Sequence, residues 1–363
     1  MQNQNKIGTG KTIMLAMPDV VGLSDMIIKN LEYHGFTVIN GTYRPFHYRY
    51  KNIWERVYKF LRHVFLRERN YKSRRQAEIF LGDKIIPQFE KQGLILGKDK
   101  IDYILFIHAS IFPHSVLDKI CELAYQSVAY HWDGFAIFPE ILEYIPKFER
   151  FFAFDIDDIK NNPQWNLLST TNFYFDLDDD EVAMLPAYNT NNPSVYFVGR
   201  HWLNRTPMID DFLGQISQFN ITPKFYILDE KNEGYQEYKN ADKINFLSQS
   251  MPFEQNLEQV KHSDILVDFV KAEHNGLSFR FFESIHYNKK LITNNVKVKD
   301  YDLYHESNVF VWENGEIDVQ AFEHFLTTPF VPIEQHIKEK YSFGNWIKYI
   351  LDIQPHVSLS LLK

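Results

Sequence analysis

The stretch DILVDFVKAEHNGLSFRFFESIHYNKKLIT, residues 264–293, decides the fold. DILVDF (264–269) is an apolar run of strand length, and KLIT (290–293) is a second. Between them, GLSFRFFESIHYN (276–288) carries the period of an amphipathic helix. Strand, helix and strand in this order make a βαβ unit, because neighbouring parallel strands need a crossover connection.

The alternation continues on both sides. Toward the C-terminal half it predicts strands VYFVG (195–199), KFYIL (224–228) and VFVW (309–312), and helices PMIDDFLGQISQF (207–219) and PFEQNLEQVKHS (252–263). Upstream it predicts strands IMLAM (13–17), FTVIN (36–40), YILFIH (103–108), SVAYHW (127–132) and FFAF (151–154). Helices fall at LSDMIIKNLEYHG (23–35), PHSVLDKICELAYQ (113–126) and PEILEYI (139–145), with helical periodicity over 51–93 and again over 332–352. LPAYNTNNPS (185–194) is polar, holds two prolines and reads as a linker. The prediction is an α/β chain of two Rossmann-like doubly wound domains facing across a cleft. The N-terminal domain would span 1–188 and the C-terminal domain 189–335, with 336–363 a helix and tail crossing back. A length of 363 residues suits two domains.

Composition bounds the function. Hydrophobic residues at 45% and charged residues at 24% exclude global disorder. The one cysteine, Cys121, excludes an intramolecular disulfide and a multi-cysteine zinc site, and its apolar helical setting reads as inert packing. No window approaches 18 apolar residues and no secretory signal pattern opens the chain, so a cytoplasmic protein is expected. The net charge of −8 argues against a nucleic-acid partner. It hides one basic segment. Residues 44–75 hold eleven Lys or Arg against Glu55 and Glu68, a local +9.

Two motifs mislead. GTGKT (8–12) resembles the end of a phosphate loop but precedes its strand and lacks the first glycine, Asn5 standing there. DLDDD (176–180) has metal-binding composition, yet it reads as a solvated acidic loop near the linker. No close metal-ligand spacing is found among the fourteen histidines, so no metal site and no cofactor are expected.

The chemistry lies in 272–295. A helix opening after Gly276 has unpaired first-turn amides and a dipole that favours an anion. Arg280 is one turn in, within reach of a phosphate, and Glu283 is a turn further on. A carboxylate there can accept from both hydroxyls of a ribose diol. Together these describe a nucleotide diphosphate site. The bland alternative is a surface helix with an Arg280–Glu283 ion pair.

GLSFRFFESIHYNKKLITNN (276–295) resembles the C-terminal motif GLTxRxFEAxxxGKKLITTN of bacterial GT-B glycosyltransferases, a CgeB-like motif. Asn288 stands where that pattern has glycine. YHWDGFAIFPEILEYIPKFERFFAFDIDDIKN (130–161) resembles a stretch of the N-terminal domain of lipopolysaccharide and capsule glycosyltransferases. The resemblance implies that Glu283 holds the ribose, that the amides of Gly276, Leu277 and Ser278 hold phosphate, and that Arg280 supports them. It implies a phosphate loop at Gly199 and Arg200, and offers Glu273 as a sugar contact, although ten residues separate Glu273 from Glu283 where family pairs are eight apart. It implies metal-independent transfer of a sugar from a nucleotide-sugar donor to a glycan or lipid-linked glycan acceptor, in bacterial surface polysaccharide synthesis. An epimerase or hydrolase of the same fold, or a silent glycan-binding module, is the rival reading.

Catalytic-base candidates come from N-terminal strand ends. Asp133 is first, then His108 and His131, while Asp155 reads as a helix cap. In KNIWERVYKFLRHVFLRERNYKSRR (51–75), Ile53, Trp54, Val57, Phe60, Leu61 and Val64 share one helical face, and Arg56, Lys59, Arg62, His63, Arg67 and Arg69 occupy much of the rest. The apolar face is expected to pack on the domain. The basic face is expected to be solvated or to dock electrostatically on anionic lipid at the inner face of the cytoplasmic membrane.

Overall fold

The computed structural model describes residues 6–46, 48–66, 71–270, 276–313 and 315–360. The N-terminal half contains β1 (Thr12–Ala16), α1 (Leu23–Tyr33), β2 (Thr37–Asn40), α2 (Ile53–Leu66), α3 (Tyr71–Phe80), α4 (Ile86–Lys91), β3 (Ile101–Ile107), α5 (His114–Cys121), β4 (Ala124–His131), β5 (Arg150–Ala153), α6 (Ile156–Asn161) and β6 (Leu167–Ser169). The rest contains α7 (Asp179–Val182), β7 (Ser194–Arg200), α8 (Thr206–Ile216), β8 (Thr222–Leu228), β9 (Ile244–Leu247), α9 (Phe253–Lys261), β10 (Ile265–Asp268), α10 (Phe279–His286), β11 (Lys290–Thr293), β12 (Val309–Val311), α11 (Val319–Thr327), α12 (Gln335–Lys340) and α13 (Phe343–Leu351).

Two parallel six-stranded sheets result, ordered β2-β1-β3-β4-β5-β6 and β12-β11-β10-β7-β8-β9. The order of the second sheet reverses between β7 and β10. These two strands pair only at Ile265–Val195 and Leu266–Tyr196 and then diverge. A doubly wound sheet opens its ligand crevice at such a point, outside the carboxyl ends of the strands.

Several elements differ from the expectations. The helix predicted through residue 126 ends at Cys121, because Ala124 is already paired with Ile101 in β4. Residues 139–147 form two 3₁₀ turns instead of an α-helix, consistent with Pro139 and Pro146 interrupting the amide ladder. β6 and β9 are edge strands of 3 and 4 residues, too short to announce themselves.

The acidic run is not a solvated loop. Asp176 accepts from the Gly344 amide at 2.8 Å and lies 2.8 Å from the His34 ring. Asp178 meets Lys261 at 3.0 Å, His286 at 3.1 Å and the Tyr287 hydroxyl at 2.8 Å. The connection between the sheets is therefore clasped to α1, α9, α10 and α13.

One apolar core runs through both halves, joining Leu15, Tyr130 and Phe173 to Leu266, Phe281 and Trp346. α13 lies against the first sheet: Trp346 packs on Tyr130 at 5.6 Å, Tyr349 packs on Phe152 at 5.5 Å, and Arg150 reaches the Tyr349 carbonyl at 3.1 Å.

Candidate functional site

Two adjoining cavities lie between the sheets. The inner one, about 370 Å³, is lined by Trp132, Phe154 and Asn172 on one side and by Arg205, Asp268, Gly276 and Ser278 on the other. The outer one, about 760 Å³, is lined by Asp19, Gly199, Arg200, Asn256, Arg280 and Glu283 among others. They share Leu23, Arg205, Asp268, Phe269, Ser278 and Phe279, and both sizes suit a small-molecule ligand.

Glu283 is 4% exposed and faces the outer cavity from α10. Burial pushes its carboxyl up to about 7, with Arg280 opposing and Asp268 adding to the rise. Among the described residues no hydrogen-bond donor reaches its oxygens. A carboxylate buried without donors is costly unless something else supplies them.

Arg280 lines the outer cavity and is anchored by two backbone carbonyls. Its Nη1 donates to the Val267 carbonyl at 2.8 Å and its Nη2 to the Val198 carbonyl at 3.1 Å. These carbonyls lie past the point where β7 and β10 separate, so Arg280 satisfies acceptors that the sheet has abandoned. It braces the crevice and presents a positive charge to it.

Gly276 is packed too closely to carry a side chain. A Cβ there would lie 2.1 Å from the Phe154 ring of the opposite domain. Its carbonyl accepts from Asn295 at 3.1 Å. The Leu277 side chain is in the core, and its carbonyl accepts from Asn172 at 2.9 Å. Ser278 is the residue preceding α10, and its buried hydroxyl has no partner among the described residues. Glu273 lies outside the described residues.

Arg200 ends β7 at the rim, half-exposed, paired with Glu230 at 3.1 Å. Gly199, beside it, lines the outer cavity.

Of the base candidates, none lines either cavity; their neighbour Trp132 does. His108 adopts a left-handed conformation at φ 58°, stacks on His131 at 4.7 Å and lies 3.4 Å from Asp133. Burial lowers the His108 pKa against the pull of Asp133, and burial holds His131 at about 3. His131 is fully enclosed, so its ring cannot meet an acceptor. Asp155 caps α6, accepting from the Asp157 amide at 2.8 Å.

Sequence reasoning missed Arg205 and Asp19. Arg205 precedes α8, donates to the Phe269 carbonyl at 2.6 Å and lines both cavities. Burial, then Arg280, works against its charge. The available signal was its sign: a cation at a helix N-terminus opposes the dipole and needs a reason. Asp19, in the turn after β1, is the one titratable group that the N-terminal half puts on these cavities among the described residues. It pairs with Arg44 at 2.7 Å. No local pattern marks it.

No protein-family model matches the chain, and no curated protein does. Solved structures do match. An alpha-glucosyltransferase in complex with UDP superimposes with a TM-score of 0.51 at 10% identity, over 94% of this chain and 95% of the other. A glycosyltransferase from Rickettsia africae ESF-5 gives 0.49 at 10% identity, over 94% and 93%. UDP-GlcNAc 2-epimerase from Methanocaldococcus jannaschii, in complex with UDP-GlcNAc and UDP, gives 0.45 at 14% identity, over 94% and 99%. The first carries the fold assignment: two doubly wound parallel domains facing across a cleft, the GT-B architecture.

Proposed function

We propose that the protein is a glycosyltransferase that takes a sugar from a nucleotide-sugar donor and places it on a glycan hydroxyl, in bacterial surface polysaccharide synthesis. The observation that carries the donor reading is Glu283, a buried carboxylate open to the cavity at the switch point and lacking donors among the described residues. A ribose diol would supply two. The diphosphate would then lie toward Ser278 and the first amides of α10, with Arg205 and Arg280 giving positive charge from below and Arg200 from the rim. The polysaccharide role is supported by the sequence resemblance over 130–161 and 276–295.

For transfer, a hydroxyl must lose a proton as it attacks the anomeric carbon while the bond to the diphosphate breaks. Asp19 faces the donor side from the opposite wall, and the geometry favours it over Asp133, His108 and His131. Arg44 holds its carboxylate. Asp19→Asn should lower the transfer rate by about 100-fold or more, within the usual range for losing a general base, and leave donor affinity unchanged. Equal rates in the two proteins would remove Asp19 from this role.

Charge on the departing diphosphate is met by guanidinium groups and helix amides, so transfer should need no divalent ion. Among the described residues no cluster of three metal-ligating side chains occurs, and Asp176 and Asp178 are committed to protein partners. Transfer assayed with excess EDTA should therefore proceed at an undiminished rate. Loss of transfer on chelation, restored by Mn²⁺, would overturn the metal-free reading.

A further inference from the structure

The α2 helix is built inside out. Its half-buried positions are Glu55, Lys59 and Arg62, at i, i+4 and i+7. Glu55 points into the domain, where it accepts from the Tyr48 hydroxyl, from the Tyr71 hydroxyl at 3.0 Å and from the Lys51 amide at 2.7 Å. The predicted packing face is the one left open. Trp54 is 75% exposed, Phe65 76%, Phe60 63%, Ile53 62%, Val64 52% and Leu61 44%. Large rings contiguous on one helical arc are not left to water without a partner.

Charge selects that partner. Arg56 and His63 flank the arc, Lys59 and Arg62 lie behind it, and the surrounding segment 44–75 sums to +9. A second copy on a two-fold axis would set this patch against itself, positive against positive. An anionic lipid surface matches both halves of the face, with hydrocarbon for the rings and phosphates for the cations. A 14-residue helix is about 21 Å long, too short to span a bilayer but suited to lying in its interface. Among the described residues no helix is long and apolar enough to cross a membrane.

We propose that α2 is an interfacial helix that inserts Trp54, Phe60 and Phe65 into the headgroup boundary of an anionic membrane. This replaces the purely electrostatic docking expected from the sequence, and it goes beyond the transferase reading. The segment leading to α2 leaves the cleft at Arg44, the partner of Asp19, so docking would set the acceptor side of the cleft beside the lipid surface.

The test is co-sedimentation of the full-length protein, without nucleotide, with phosphatidylcholine vesicles containing roughly one-third phosphatidylglycerol. The native protein should bind them, bind pure phosphatidylcholine more weakly, and keep part of its binding in about 1 M salt, where charge is screened beyond about 3 Å. Trp54 emission should shift to the blue and be quenched by brominated lipid, both changes being absent in Trp54→Phe. The triple variant Trp54→Ser, Phe60→Ser, Phe65→Ser should lose about 1,000-fold in partitioning, since each large side chain accounts for roughly tenfold. It should keep its circular dichroism, because all three side chains are exposed. Arg56→Ser, at the exposed flank of the arc, should lose about fivefold at low salt. No binding at low salt would overturn the proposal. So would unchanged binding by the triple variant, or a concentration-dependent dimer that this variant disperses, which would assign the face to a second copy. None of these outcomes depends on nucleotide binding or transfer.

Discussion

Asp178→Ala should lower the folding free energy by about 3 kcal/mol at neutral pH, the lower end for breaking a buried ion pair. The Asp178 side chain is 10% exposed and its partners Lys261 and His286 are 9% and 1% exposed. Removing the carboxylate leaves Lys261, among the described residues, with the carboxylates of Glu181 and Glu258, both more than half exposed. The Tyr287 hydroxyl loses its acceptor as well. Burial pushes the Asp178 pKa up, but His286, Lys261 and Tyr287 outweigh it and hold the group at about 2, below the ordinary 3.8. A depressed carboxyl adds stability that is present above the unfolded value and lost as pH falls through the folded one. The native and variant proteins should therefore converge between about pH 4 and pH 2, within the window set by those two values. Denaturant unfolding at neutral pH and along an acid series measures both effects. A variant as stable as the native protein at pH 7 would show that the clasp adds nothing net.

Glu283→Gln should act in opposite directions on binding and on folding. Nucleotide affinity should fall by about 1.5–3 kcal/mol, the range for hydrogen bonds to a charged group. Folding stability above pH 7 should rise by up to roughly 3 kcal/mol, because burial lifts the carboxyl from 4.5 to about 7 and each unit is worth about 1.4 kcal/mol. The sign is that of a raised acid. The penalty is absent below the unfolded value, grows as pH climbs toward 7 and is complete above it. Glutamine keeps the shape and removes the charge. Two ribose donors favour the ionised carboxylate, so native affinity for a nucleotide sugar should rise with pH through about 7, and the Gln variant should lack that rise. A stabilised variant with unchanged affinity would place the nucleotide elsewhere.

The two-sheet architecture was legible because its central strands are continuous apolar runs. IMLAM, YILFIH, VYFVG and DILVDF are buried on both faces and need no partner information to be recognised. What escaped the sequence depended on distant partners. β6 and β9 are short edges held by ladder bonds to β5 and β8. The acidic run looks hydrated because Lys261 and His286 are about a hundred residues away. For α2, periodicity gives the apolar arc but not the side on which the domain lies, so the expected packing face was inverted. At the site, Glu283, Arg280, Arg200 and Gly199 do come to one cavity. The bracing contacts of Arg280 and the close packing of Gly276 were not legible, since the strand divergence and Phe154 that determine them are tertiary facts. Arg205 and Asp19 are single charged residues in turns, and only the assembled cleft gives them meaning.

The central claim is that the cleft binds a nucleotide diphosphate through Glu283. A thermal-shift panel of nucleoside diphosphates and CMP in EDTA tests it most directly, since a ligand bound only by the folded state raises the melting temperature by mass action. One nucleotide should stand out with the native protein, and its shift should shrink in Glu283→Gln although that variant starts from a higher melting temperature above pH 7. If no nucleotide stabilises the native protein at saturating concentration, or if the stabilisation is the same in both proteins, the claim is contradicted.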